Sequence, residues 1–188
     1  MPAFLAYLRA ATQPHHARLD AAPLSARVTD GTLDPDDYRA LVAWQHRAHA
    51  VAEAGLGDFP WPTEYRYAPR LPVLAAEAAT LALPTPRVAA LPPAVSLAAA
   101  AGRAYVLEGS SLGGNMILGH LRGNARLTGL SDFAFYGFQR GLGLRQWRSF
   151  TAFAKTRNWT PAEAKEASAE AAVVFGVFAR ALPEERVD

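Results

Sequence analysis

Apolar side chains recur every three or four residues along most of this sequence, and no stretch alternates between apolar and polar positions as a half-buried strand would. The segment 38–55 carries an apolar face formed by Leu41, Trp44, Ala48 and Val51. A similar pattern runs from Thr160 to about Leu182, with predicted core positions Val173, Val174, Val177 and Phe178. Further helices are predicted over 71–83 and 96–121. The pattern therefore predicts an all-α chain of seven or eight helices.

Two of these helices begin with strong start sequences. Asp34 is a good N-cap, and Pro35 after it suits the first helical position. Thr160 and Glu163 form a capping-box sequence around Pro161. Proline-rich connections over 59–62 and 84–93 separate the helical segments. With 188 residues, the chain suits one core better than two, so we expect a single domain over 1–188.

Composition excludes several classes of chemistry. The chain has no cysteine, which excludes disulfides, a thiolate nucleophile and cysteine-based zinc or iron–sulfur sites. No apolar run approaches the roughly 20 residues that cross a bilayer. The N-terminus lacks the basic flank of a signal peptide. A cytoplasmic protein without a membrane partner is expected.

Charge is unevenly distributed along the chain. The segment 103–157 holds eight basic and two acidic residues, a local charge of +6, whereas the whole chain carries +2. This asymmetry indicates an anionic partner for the second half. A small anionic ligand accounts for it at least as well as nucleic acid, because only two lysines are present and no basic-aromatic groove pattern is seen. We expect no nucleic-acid partner.

Glycines interrupt the predicted helix 96–121. They include Gly109, Gly113, Gly114 and Gly119. Each interior glycine costs about 1 kcal/mol relative to alanine. Either another helix packs closely there, or a flat ligand lies against exposed backbone. The polar neighbours Ser110, Ser111 and Asn115 favour the ligand.

The five histidines do not form a metal-binding motif of their own. No Glu-x-x-His or His-Glu-x-x-His sequence occurs. We expect His46, His49 and His120 to be structural. His15 and His16 are adjacent, and only one of them can face a pocket because neighbouring helical residues lie about 100° apart.

Two segments together resemble the heme oxygenases. Leu8-Arg9-Ala10-Ala11-Thr12, continuing through His16 to Asp20, resembles the proximal-helix pattern of that family. The segment 105–115, Tyr-Val-Leu-Glu-Gly-Ser-Ser-Leu-Gly-Gly-Asn, is similar to the distal-helix motif of its bacterial members. The spacing of the two motifs suits the family as well. The resemblance spans most of the chain and implies an all-α fold with heme between a proximal and a distal helix.

The resemblance assigns roles on both sides of the heme. It implies that His16 is the axial iron ligand, bound as neutral imidazole. Gly109 and Gly113, with Gly114 beside them, would let the distal backbone approach the heme. Ser110 stands where the mammalian branch carries a distal aspartate, which places the chain in the bacterial branch. Gly109, Ser110 and Gly113 are thus the predicted catalytic positions.

The basic residues would hold the heme propionates, for which Arg145 and Arg148 are the first choices and Arg9 a proximal-side candidate. The implied reaction converts heme, both substrate and cofactor, into biliverdin, carbon monoxide and ferrous iron with O2. Electrons would come from a ferredoxin or a flavoprotein reductase, because no nucleotide-binding glycine loop is present. Two alternatives stay open: a non-catalytic heme-binding or sensing protein of this fold, and an unrelated helical interaction protein whose glycine face serves packing.

Overall fold

Helices account for most of the chain in a computed structural model that describes residues 3–130 and 132–183. Within those ranges the α-helices are α1 (Phe4–Asp20), α2 (Pro23–Thr29), α3 (Pro35–Ala52), α4 (Leu71–Thr80), α5 (Leu97–Gly123), α6 (Ala134–Phe138), α7 (Leu144–Thr156) and α8 (Pro161–Ala181). A 3-10 turn (Ala125–Leu127) follows α5, and a π-helical segment (Gln139–Gly143) joins α6 to α7. No strand occurs in the described part of the chain, so the all-α prediction is confirmed.

The predicted helix starts are confirmed by their capping contacts. The Asp34 side chain accepts from the backbone N–H of Asp37 at the start of α3. At the start of α8, Thr160 and Glu163 form the reciprocal bonds of a capping box. The Ser96 side chain caps α5 by accepting from the backbone N–H of Ala99. Each cap satisfies backbone donors that have no partner inside the helix.

The end of α4 differs from its prediction. The pattern predicts a helix to residue 83, whereas α4 ends at Thr80. Ala82 adopts a φ of 52°, in the left-handed region, so the chain turns there. The Leu83 N–H then donates to the carbonyl of Ala78 and closes the helix end. The apolar pattern continues past this turn because Leu81 is buried and Leu83 is half-buried.

Helix α8 packs against α1, α3 and α5. Where α5 crosses α8, an added Cβ on Gly102 would lie 2.0 Å from the Ala167 carbonyl oxygen. Only glycine therefore allows this close approach. No helix in the described ranges combines the length and apolarity needed to cross a bilayer.

The core face of α8 was predicted correctly except at one position. Val174, Val177 and Phe178 are buried, but Val173 is 41% exposed, so the prediction for Val173 is wrong. Phe175 is buried instead, where α1 covers this helix. Val173 and Phe175 lie on opposite sides of the buried stripe, and the neighbouring helices cover only one of those sides.

Candidate functional site

His16 lies on α1 with its ring largely exposed and one ring nitrogen fixed. Its Nδ1 is 2.7 Å from a carboxylate oxygen of Asp20, one helical turn later. The side chain of His16 is 65% exposed. With Nδ1 bonded to the carboxylate, Nε2 is left as the nitrogen available to a metal. His16 thus has the arrangement of an imidazole ligand supported by a carboxylate.

Both adjacent histidines contact the same ring on α8. The His15 ring lies 6.0 Å from that of Phe175, centroid to centroid, and the His16 ring lies 6.1 Å from it. His15 is half-buried and stacked on Phe175, whereas His16 meets the ring edge-on. Phe175 thus covers the His15 ring and leaves the His16 ring exposed.

Tyr105 of α5 lies near Thr12 and Arg9 of α1. Burial raises the pKa of Tyr105, while a hydrogen bond with Thr12 and the charge of Arg9 act in the opposite direction. These contacts place the start of the distal motif beside the proximal one. His16 follows Thr12 by one helical turn, and Gly109 follows Tyr105 by one turn.

Gly113 presents bare backbone to open space. A Cβ added there would meet no atom within 4 Å. The side chains of Leu112 and Met116, one helical turn apart, are 53% and 56% exposed. Gly109 lies beside Trp147 of α7, from which an added Cβ would be 3.6 Å away. This part of α5 therefore offers an apolar, side-chain-poor surface.

Gly114 lies on a different face from Gly113. It is buried, and a Cβ there would come within 2.8 Å of Cβ of Gln139. The glycine leaves room for the Gln139 side chain and does not share the open face. Close helix packing and an open backbone face, the two explanations offered by the sequence, thus apply to different glycines of the same helix.

Ser110 is half-buried and bonded on the protein side. Its hydroxyl donates to the Leu107 carbonyl at 2.7 Å and accepts from the Gln139 amide nitrogen at 3.1 Å. The Ser111 hydroxyl donates to the Gln139 amide oxygen at 2.5 Å. One glutamine thus bridges two consecutive serines of the distal motif.

Behind Ser111 lies a buried ion pair. Arg70 donates to Glu108 at 2.5 Å, and both side chains are fully buried. Tyr65 donates to the other oxygen of Glu108 at 2.6 Å, and Arg70 also reaches the Ser111 hydroxyl at 3.3 Å. Burial raises the pKa of Glu108, whereas Arg70 and Tyr65 act to lower it. Neither Glu108 nor Arg70 has a role predicted from the sequence, although a carboxylate in an apolar helix signals a buried partner.

A second buried carboxylate supports the loop that carries Arg70. Glu53 accepts hydrogen bonds from the Tyr67 hydroxyl and from the backbone N–H groups of Arg70 and Leu71. Burial raises the pKa of Glu53, and the Tyr67 hydrogen bond acts against it. These bonds hold the segment before α4 against the end of α3.

The three arginines expected to hold propionates are exposed. Arg145 and Arg148 lie on α7 on either side of Trp147, the residue beside Gly109, and Arg9 lies on α1. None of the three forms an ion pair within the described ranges. Their guanidinium groups are therefore accessible to a bound anion.

His46 and His49 are buried in the core, as expected of structural residues. The His49 ring lies between Phe135 and Phe178, and its Nδ1 bonds the Gln45 carbonyl at 2.9 Å. Burial lowers the pKa of His49 to about 3. Among the described residues, no group of three or more histidine and carboxylate side chains is placed to bind a metal ion.

Comparison with known proteins gives a family. No family model matches the chain. A curated relative named heme oxygenase, from Xanthomonas campestris pv. campestris (strain 8004), is 33% identical over 158 residues. The alignment covers 82% of this chain and 94% of the relative. This similarity removes the alternative of an unrelated helical interaction protein, and the all-α architecture is consistent with it. The chain belongs to the heme oxygenase family.

Proposed function

We propose that this chain catalyses the oxidative opening of heme to biliverdin, carbon monoxide and ferrous iron. The reaction uses O2 and electrons from an external donor, a ferredoxin or a flavoprotein reductase. Family membership supports the class of enzyme. The observation that carries the proposal is the open backbone face at Gly113, flanked by the exposed apolar side chains of Leu112 and Met116. A flat, largely apolar substrate suits this surface, whereas a polar ligand does not.

On the proximal side, His16 is the proposed iron ligand. Its exposed ring and the Asp20 contact at Nδ1 support this role, because they leave Nε2 free to bind and hold the ring orientation. His15 is the less suitable neighbour, since its ring is stacked on Phe175. Pairing with the carboxylate also increases the basicity of the imidazole.

On the distal side, α5 contributes mainly through the lack of side chains at its glycines. Gly109 and Gly113 would let the backbone lie close to the heme, and Ser110 is the proposed distal hydroxyl. Bound heme supplies the oxygen chemistry itself. The distal segment orients the substrate and holds water and protons near it. Gly114 contributes by admitting Gln139, which contacts Ser110.

Orientation within the site would depend on the propionates. Arg145 and Arg148 on α7, with Arg9 on α1, are the proposed partners, and their lack of carboxylate partners in the described ranges supports this. Guanidinium groups bind carboxylates through paired hydrogen bonds. How these arginines would hold the propionates would set the rotation of the heme in its plane and so the meso carbon that is oxidised.

Heme titration followed by reduction in air tests the proposal. The wild-type protein is expected to give a sharp Soret band with ferric heme and a biliverdin spectrum after a reductant is added. His16→Ala should lose the proposed iron ligand and the biliverdin product, whereas His15→Ala serves as the matched control and should retain both. Heme that binds and survives reduction in air would select the non-catalytic alternative. Equal losses in the two variants would contradict the assignment of His16.

A further inference from the structure

We propose that Gln139 is a positioning residue that makes the Ser110 hydroxyl a hydrogen-bond acceptor toward the distal face. This inference rests on the proposed function, because it concerns how the distal hydroxyl meets bound heme and its water. Gln139 lies outside both sequence motifs. It begins the π-helical segment Gln139–Gly143, a type of irregularity that is frequent at functional sites.

The hydrogen bonds that Ser110 already makes determine whether its hydroxyl can donate or accept a further one. A serine hydroxyl has one hydrogen to donate and two lone pairs that accept. The hydrogen is directed to the Leu107 carbonyl at 2.7 Å, and the Gln139 amide nitrogen, at 3.1 Å, donates to one lone pair. One lone pair is left for a donor on the exposed side of this half-buried residue. Ser110 is thus arranged to receive a hydrogen bond from a distal water rather than to give one.

The orientation of the Gln139 amide is set by its other contact. Its oxygen accepts from the Ser111 hydroxyl at 2.5 Å, so its nitrogen must face Ser110. Ser111 is itself fully buried and lies 3.3 Å from the Arg70 guanidinium, which can only donate and therefore directs the Ser111 hydrogen toward Gln139. The buried ion pair of Arg70 and Glu108 thereby fixes the direction of the whole series of hydrogen bonds.

Two glycines leave the space that the Gln139 side chain occupies. Gln139 is 2% exposed. A Cβ on Gly114 would lie 2.8 Å from Cβ of Gln139, and one on Gly143 would lie 2.9 Å from its amide oxygen and 2.5 Å from the Ser111 hydroxyl. Both glycines are therefore required for the contact between α5 and the π-helical segment. The absence of side chains at Gly114 and Gly143 allows the Gln139 amide to contact both serines.

The acid–alkaline transition of the ferric heme spectrum tests the inference. A distal acceptor stabilises water over hydroxide, so removing it should lower the pH midpoint of that transition. We expect Ser110→Ala to lower the midpoint by on the order of half a pH unit. Gln139→Met, similar in size but unable to bond, should shift it in the same direction. In the double variant, Gln139→Met should add nothing to Ser110→Ala.

Ser111→Ala provides a second route to the same result, because it removes the bond that orients the Gln139 amide while leaving Gln139 in place. A lowered midpoint in that variant supports the inference even if Gln139→Met does not fold. An unchanged midpoint in folded, heme-loaded Gln139→Met, or additive shifts in the double variant, would overturn it. A merely structural role would lower the melting temperature without moving the midpoint. A wild-type protein that gives no Soret band would instead overturn the proposed function.

Discussion

Nδ1 of His16 lies 2.7 Å from Oδ2 of Asp20, although the two side chains are 65% and 67% exposed. An exposed pair one helical turn apart stabilises a helix by only about 0.3–0.5 kcal/mol. Its value to folding is therefore small. The contact does determine which imidazole nitrogen of His16 is free. Removal of the Asp20 carboxylate should therefore affect ligand binding much more than folding stability.

Asp20→Asn should weaken ferric heme binding by about 10–100-fold, because the loss of such a supporting contact to a metal-bound histidine has effects of that size. The melting temperature of the free protein should change little. A Soret titration measures the affinity. Asp30→Asn, at the exposed end of α2, is the matched control. Equal affinities of Asp20→Asn and wild type would show that Asp20 does not support the ligand.

Gly113 and Gly114 are adjacent but should respond oppositely to added side chains. Gly113→Leu should fold with unchanged or slightly higher stability, since its Cβ meets no atom and leucine favours helix by about 1 kcal/mol. It should nevertheless abolish biliverdin formation. Gly114→Ala should destabilise the fold by about 1–3 kcal/mol through overpacking against Gln139. Urea denaturation and product spectra distinguish the two effects.

The biliverdin yield of Gly113→Leu tests whether heme lies against this face of α5. Normal biliverdin formation by that variant would contradict the placement of heme against this face of α5. A stable Gly114→Ala variant would show that Gln139 can move aside.

Removing the buried cation should be costly. Arg70→Met leaves Glu108 buried without its charged partner, and breaking such a pair costs about 3–5 kcal/mol. Adding Glu108→Gln should recover part of this loss, since the remaining group is then neutral. Urea denaturation of both variants measures the effect. If the double variant were less stable than Arg70→Met alone, an uncompensated carboxylate would not be the cause.

His49 should make the protein less stable in acid. Burial lowers its pKa from 6.5 to about 3, and the charges of Arg70 and His46 act in the same direction. The unfolded chain therefore binds a proton that the folded protein does not. The stability associated with neutral His49 is complete above about pH 6.5 and is lost as the pH falls toward 3, by on the order of a few kcal/mol.

His49→Gln should flatten this dependence, so the difference in unfolding free energy between variant and wild type should shrink as the pH falls from 7 to 4. The comparison cancels the opposite contribution of Glu53 and Glu108, whose raised pKa values favour the folded state in acid. His120→Gln, on a half-buried residue of α5, is the control. A difference that stays constant over this range would contradict the assignment.

The helices of this protein could be predicted because local physics determines them. Asp34 and Thr160 cap helices through bonds within three residues of themselves, and that pattern is visible in the sequence. The exposure of Val173 was missed because it depends on which neighbouring helices cover that surface. The early end of α4 was missed because apolar spacing does not show the left-handed turn at Ala82. Apolar spacing shows which face of a helix is buried but not how far the neighbouring helices extend over it.

The candidate site likewise has parts that follow from local sequence and parts that depend on the tertiary structure. The sequence indicated His16 and the glycine-rich segment of α5 as candidates, because each lies in a short motif that resembles one of the family's. Only the tertiary structure distinguished Gly113, which is open, from Gly114, which packs on Gln139. It alone brought Arg70 to Glu108 and Gln139 to Ser110 across 38 and 29 positions of the chain. Buried polar groups must find partners wherever the fold provides them, and that requirement acts in space, without regard to distance along the sequence.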